Sequence, residues 1–260
     1  MKICIVIPAY NEEKRIGKTL EEYGAFFTNL KNKDFQYQIL VVINNTKDKT
    51  EEVVKNISKK YKEINYLNLK PGGKGFAIIE GFKWAIKKDF DLIGFVDADI
   101  ATGPEAFFDL IKNIGNSDGI IASRYNSRAK IKGLTFSRKI LGKGFNLISR
   151  FFFMFPFSDT QCGAKIFRKR VVEKVAYELN ITQWAFDINL LYLCKKNKFK
   201  IKELPTVWEE KEGSTITKVR TPIQMFLAIL RLRIIYSPFQ RIFEPIKFIA
   251  KIGDNLINKK

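Results

Sequence analysis

The chain has 260 residues, 46% hydrophobic and 28% charged, enough for one large α/β unit with an appendage rather than several domains. It contains no histidine, so an imidazole base, a Ser-His triad and a His-ligated metal are excluded. Its 46 Lys and Arg against 27 Asp and Glu give a formal net charge of +19, which favours a polyanionic partner: nucleic acid, an anionic membrane face or a phosphorylated small molecule.

Residues 3–8, ICIVIP, are a β-branched run ended by proline and predict a strand buried on both faces. EEKRIGKTLEEYGAFFTNL follows with Ile16, Leu20 and Tyr23 at helical spacing. Gly17-Lys18-Thr19 looks like the end of a P-loop, but Glu12 stands where that motif needs its first glycine, and the triplet falls inside the helix. QILVVI at 38–43 predicts a second strand, 50–61 a helix, INYLNL a third strand, 75–88 a helix and DLIGFVD a fourth strand. Neither GGKGFAI nor GKGFNL completes GxGxxG, because Ile78 and Leu147 take the final position, so no dinucleotide cofactor is expected. This alternation implies βαβ units and a mainly parallel sheet, which binds ligands beyond the carboxyl ends of its strands. PAYNEE, NNTKDKT, KPGGKG and DADIATGPE follow the four strands in turn, so four polar loops converge on one edge.

In the last loop Asp97 and Asp99 are separated by one alanine. On a strand, residues two apart share a face, and such carboxylates repel unless a cation lies between them. A divalent cation is one reading; two solvated loop residues are the other. Cys4, Cys162 and Cys194 form no CxxC pair. The apolar part of MKICIVIPAYN is too short for a secretory leader, so reduced thiols and a cytoplasmic setting are expected. No uncharged apolar run of the length needed to span a bilayer is present.

VIPAYNEE, then VDADIATGPE, then ASRY at 122–125 resemble the inverting family 2 glycosyltransferases of GT-A fold. SDTQCGAKIF at 158–167, WAFDINLLYL at 184–193, LPTVWEEKEGST at 204–215 and RLRIIY at 231–236 are similar to the dolichyl-phosphate glucosyltransferases, relatives of the dolichyl-phosphate mannose synthases. The resemblance implies a Rossmann-like, mainly parallel sheet flanked by helices over residues 1–215, a nucleotide-sugar donor and Mg²⁺ or Mn²⁺. Asp99 is then the first choice as metal ligand, with Asp97 sharing the metal or orienting sugar and ribose; Ala101 stands where the mannose synthases often carry a further glutamine ligand. Pro8, Ala9, Tyr10 and Glu12 match the nucleotide-binding loop. Ile43, Asn44, Asn45 and Thr46 replace the family's usual DDGS, and an asparagine such as Asn44 retains hydrogen-bonding capacity for a base edge. Lys74 is expected to meet the diphosphate.

By the same resemblance the acceptor is dolichyl or another polyprenyl phosphate, an anion that needs a cationic cradle more than a base. Arg124, Arg138 and Lys143 are the candidates for that cradle, while Asp159, Gln161 and Asp187 shape the acceptor side and sugar pocket. Glucose from UDP-glucose is the favoured donor, and the cytoplasmic membrane face the expected location. FNLISRFFFMFPF at 145–157 packs six of the 23 phenylalanines into thirteen positions and suits a lipid-facing patch as well as a core. TPIQMFLAILRLRIIY spans about 22 Å at ~1.5 Å per residue, short of a roughly 30 Å hydrocarbon core, and carries Arg231 and Arg233. Phe239, Ile242, Phe243, Ile246 and Ile249 then share a helical face, so 216–260 is expected to form amphipathic interfacial helices. Docking of that tail on the protein's own core is the alternative. Other functional readings are a family 2 transferase with another glycan or lipid acceptor, and a lapsed enzyme that still binds lipid phosphate. Nucleic acid would suit the charge, but no nucleic-acid module is present.

Overall fold

The computed structural model describes residues 1–30, 34–179, 185–211 and 220–236. Strands β1 (Lys2–Ala9), β2 (Gln36–Asn44), β3 (Ile64–Leu69) and β4 (Leu92–Val96) alternate with helices α1 (Ile16–Leu30), α2 (Thr50–Lys60) and α3 (Lys74–Ile86), as the hydrophobic periodicity predicts. There follow α4 (Pro104–Lys112), β5 (Gly119–Ser123), β6 (Lys130–Lys132), α5 (Phe136–Phe153), β7 (Ala164–Arg168), α6 (Lys169–Val175), α7 (Phe186–Lys196), β8 (Ile201–Pro205), β9 (Val207–Glu209) and α8 (Arg220–Ile235). The main sheet has the order β3-β2-β1-β4-β7-β5-β8, and β6 pairs with β9 in a small second sheet.

The strands of the main sheet are apolar on both faces because helices cover both. Ile3, Ile5 and Ile7 of β1 and Ile39, Val41 and Ile43 of β2 pack with Leu20, Phe27, Phe107 and Leu110 of α1 and α4. The alternate residues Val6, Val42 and Phe95 face the other way, against Ile78 and Phe82 of α3, Val172 of α6 and Leu190 of α7. Period-two alternation into two separate cores fixes the register, since a one-residue slip would exchange every side chain between them.

β7 runs antiparallel to both β4 and β5, while every other pair in the main sheet is parallel. The start of β7, and the SDTQCG segment before it, therefore lies at the edge where the parallel strands end. Proximity is direct there: the Asp97 N–H donates to the Gly163 carbonyl at 3.1 Å.

A third core joins α5, α7 and α8 through Phe145, Phe153, Phe155, Phe157, Ile188, Leu191, Ile229 and Leu232. The stretch 145–157 is divided: four of its phenylalanines are core, while Phe151 stands 80% exposed beside exposed Leu147 and Met154. α8 docks on this core with Ile229 and Leu232 fully buried, and the Tyr236 hydroxyl donates to Asn189 Oδ1 at 2.7 Å. α8 thus packs on the same core as α5 and α7. Residues 237–260, with the expected second amphipathic stretch, lie outside the described residues. Among the described residues no helix is long and apolar enough to cross a membrane.

Candidate active site

The first two loops form one braced unit. Asn11 Oδ1 accepts the Lys47 N–H at 2.9 Å, Asp48 Oδ2 accepts that of Glu13 at 3.1 Å, and Glu13 Oε2 accepts that of Lys49 at 3.0 Å. Asp48 Oδ1 also takes the Thr50 N–H and hydroxyl, and although burial opposes it, these hydrogen bonds hold the carboxyl below the usual aspartate range. Asn11 and Glu13 of PAYNEE are thus spent on the neighbouring loop. Tyr10, 51% exposed, is left to face the cavity. Pro8 and Ala9 are the buried last residues of β1, and Asn44 is the buried last residue of β2. Glu12 is half-buried and clasps Arg15 through two 2.7 Å bonds; burial raises its pKa against Arg15, helped by Asp99 and Asp97 nearby.

The DxD pair lies just past β4, in a turn rather than on the strand as its spacing suggests. Three contacts fix that turn. Thr19 Oγ1 donates to the Ala98 carbonyl at 2.6 Å, the Tyr23 hydroxyl to the Thr102 carbonyl at 2.8 Å, and Asp99 Oδ1 accepts the Ala101 N–H at 3.0 Å. Ile100 is held at φ 57, a conformation that a β-branched residue keeps only where its surroundings impose it. Asp97 pairs with Lys74 Nζ at 2.5 Å. Burial raises the Asp97 pKa against the opposing ammonium, and the Asp99 and Asp187 charges add to the rise. Gly163 passes so close that a Cβ there would collide with the Asp97 carboxylate, which is why DTQCG ends in glycine.

Lys74 is the first residue of α3, after Gly73 at φ 123, so its ammonium adds to the positive end of the helix dipole. Burial alone would lower its pKa, but Asp97 and Asp187 raise it. Asp187, at the start of α7, accepts a 2.6 Å bond from Lys165 Nζ, a lysine with no solvent exposure that also reaches the Cys162 carbonyl at 2.7 Å. Sequence reasoning missed Lys165. Its signal was there: a single charge in the apolar run CGAKIF that a covered central strand can hold only with a carboxylate.

Tyr10, Lys74, Asp97, Asp99, Gln161, Asp187, Arg124 and Arg138 all line one cavity of about 820 Å³. Other residues expected at the site are not on its wall. Asp159 is completely buried, and its carboxylate accepts the Arg124 Nε at 2.7 Å, Nη2 at 3.1 Å and backbone N–H at 3.0 Å, plus the Gln161 and Cys162 N–H groups at 3.1 and 3.2 Å. Burial would raise its pKa, but Arg124 and these donors hold it below the ordinary range. Arg124 is committed to this pair and stacked between Tyr125 and Trp208. Asp159 is therefore a brace rather than a wall residue, and Arg124 is not a free phosphate ligand. Lys143 is exposed on α5 outside the cavity. Its angular position decides that: two residues from both Leu141 and Phe145, it points roughly 200° away from the stripe that faces inward. Trp208, Glu210 and Lys211, from the segment that carries β9, also line the cavity.

The opposite wall is apolar: Leu134, Ile140, Leu141, Phe145, Ile148, Met225 and Phe226. Ile140 and Leu141 are also exposed to solvent, and Phe136 beside them is 78% exposed. Phe136, Ile140, Leu147 and Phe151 form an exposed apolar stripe along α5, with exposed Lys139, Lys143 and Arg150 along the adjacent stripe.

A Rossmann-like sheet with a DxD turn and a lysine at its carboxyl edge defines the class: a glycosyltransferase of GT-A fold. Residues 4–176 match the family model described as glycosyl transferase family 2, and the chain belongs to that family. It is 34% identical to a dolichyl-phosphate beta-glucosyltransferase of Trichomonas vaginalis over 90% of this chain and 73% of the relative. It is 30% identical to the human dolichyl-phosphate beta-glucosyltransferase over 90% and 76%. Among solved structures, glucosyl-3-phosphoglycerate synthase of Mycobacterium tuberculosis in complex with Mn²⁺, UDP and phosphoglyceric acid superposes with TM-score 0.66 at 14% identity, over 89% of this chain and 78% of that one. That likeness carries the fold.

Proposed function

We propose that the protein transfers glucose from UDP-glucose, with inversion, to dolichyl or another polyprenyl phosphate at the cytoplasmic face of a membrane. The observation that carries this reading is the two-sided cavity, whose polar floor of Lys74, Asp97, Asp99, Gln161 and Asp187 meets an apolar wall running out to the exposed stripe of α5. The relatives' names support the same donor sugar and acceptor.

In the reaction an oxygen of the lipid phosphate attacks the anomeric carbon opposite the nucleotide, a new C–O bond forms, and the bond to the diphosphate breaks with its electron pair leaving on the diphosphate. The attacking phosphate is already anionic, so a histidine-free site needs no strong base. Lys74 and the positive end of α3 meet the departing diphosphate. Tyr10 offers a ring face to the base. Asp187, fixed by Lys165, and Gln161 offer hydrogen bonds to sugar hydroxyls.

Asp99 and Asp97 would hold Mg²⁺ or Mn²⁺. They fit such an ion: two adjacent carboxylates share one cavity wall, and the Asp99 charge adds to the rise of the Asp97 pKa, a repulsion that a cation between them would offset. No group of three or more possible ligands exists among the described residues, as suits a hard cation that takes one or two carboxylates and completes its shell with substrate phosphate. When bound, the ion supplies charge against the developing diphosphate.

The exposed apolar stripe of α5 and its neighbouring Lys139, Lys143 and Arg150 suit an interface with anionic headgroups. Purified protein incubated with a panel of nucleotide sugars and a polyprenyl phosphate, with the lipid product identified by mass, tests the reaction. A product from UDP-glucose supports the reading, and glucose transfer to neutral alcohols alone rejects it.

A further inference from the structure

Among the described residues four cationic side chains line the cavity: Lys74, Arg124, Arg138 and Lys211. Each already faces a carboxylate. Lys74 pairs with Asp97, Arg124 with Asp159, Arg138 with Glu210, and Lys211 with Glu209 at 2.7 Å. An incoming phosphate must therefore take a cation from an anion that holds it. The pairs differ in how they can respond. Asp159 is enclosed and takes five hydrogen bonds, so removing it from Arg124 would dismantle the loop. The Lys74 pair sits at the DxD end, where the donor's diphosphate belongs. Lys211 and Glu209 lie two residues apart on one segment, and Glu209 is exposed, so that carboxylate can return to water when its lysine is taken.

The Arg138–Glu210 pair is different. It joins the first turn of α5, which carries the apolar wall, to the residue just after β9. One Glu210 oxygen meets the guanidinium, and the other is buried without a hydrogen-bond partner among the described residues. A buried carboxylate with one idle oxygen is only half compensated for leaving water. A phosphate offers the same guanidinium more charge and more acceptor oxygens, and so a stronger bidentate bond.

The geometry points to Glu210 as a specificity residue that occupies Arg138 in the empty enzyme and yields it only to an anionic acceptor. This rests on the acceptor being a lipid phosphate, as proposed above. A neutral hydroxyl cannot displace the carboxylate, because it would leave both charges desolvated and unpaired. The pair therefore filters acceptors by charge, and Glu210 lowers acceptor affinity in return. A residue that merely held Arg138 in position would have the reverse effect on affinity.

The test is steady-state kinetics of wild type, Glu210→Gln, Glu210→Ala, Arg138→Ala and the Arg138→Ala/Glu210→Gln double variant, with a short-chain polyprenyl phosphate as acceptor and inorganic phosphate as competing inhibitor. Both Glu210 variants should lower the acceptor KM about tenfold, the size of one charge-assisted contact. The inhibition constant of inorganic phosphate should fall in parallel, and donor KM should stay constant. Arg138→Ala should raise acceptor KM, and the double variant should match it, because without Arg138 there is nothing for Glu210 to block. A raised or unchanged acceptor KM in both Glu210 variants overturns the proposal, as does a fall in kcat alone. If wild type makes no product from any polyprenyl phosphate, the lipid-phosphate reading has failed; if it makes product and the Glu210 variants do not bind acceptor more tightly, the filter alone has failed.

Discussion

Replacing Asp159 by asparagine separates a brace from a reacting group. The amide keeps the shape but loses the charge, and its NH₂ must face Arg124 or the backbone donors that the carboxylate now accepts. Arg124, mostly buried, is left uncompensated. Breaking a buried ion pair from one side costs about 3–5 kcal/mol, a large part of a typical total of roughly 5–15 kcal/mol. At about 2–4 °C per kcal/mol for a domain of this size, the melting temperature should fall by roughly 6–20 °C. The segment around Ser158 and Asp159, whose N–H groups are bound to Glu203 at 2.9 and 2.7 Å, should be cleaved by protease sooner in the variant than in wild type. Calorimetry of both proteins measures the shift, and replacing both partners by apolar residues, Arg124→Met together with Asp159→Leu, should restore much of it. A variant that melts within about 2 °C of wild type while turnover disappears would refute the argument and return Asp159 to the reacting groups.

Asp99→Asn should lower turnover by at least about a hundredfold with an unchanged melt, and excess chelator should do the same to wild type; near-normal turnover in either case removes the metal assignment. Phe136→Glu with Phe151→Glu, both at exposed positions, should abolish flotation with anionic vesicles and leave the melting temperature unchanged, whereas vesicle binding that survives both places the membrane contact elsewhere. Asp48, Asp118 and Asp159 all have lowered pKa values: burial opposes the shift in each, and hydrogen bonds or arginine partners outweigh it. At these three carboxyls the unfolded chain therefore binds more protons than the folded one in the acid range. Their stabilisation is fully present above the ordinary aspartate value of about 3.9 and is lost as pH falls below it. Melting temperature measured from about pH 3 to 7 should fall steeply only at the acid end, and a flat profile there contradicts the shifts.

The order of strands and helices through β4, the convergence of four loops on one edge, and the family itself were legible in the residues. Apolar period, turn chemistry and the handedness of βαβ crossovers are local properties, and they bring Tyr10, Lys74, Asp97 and Asp99 to one place without knowledge of the rest. The direction of β7 was not legible, because strand pairing between distant segments leaves no periodic trace, yet it carries Gln161 and Gly163 to that edge. The outward turn of Lys143 and the division of the phenylalanines between core and surface follow from how α5 is rotated against α7 and α8, and the burial of Asp159 follows from Arg124 and Glu203, which the fold brings to it. Motif spacing assigned these residues to a region, but only the packing of whole helices decides which side of a wall each one occupies. Lys165 and Glu210 belong to the same class: a charge's role depends on the opposite charge that the fold brings to it, from 22 residues away for Asp187 and from the first turn of another helix for Arg138.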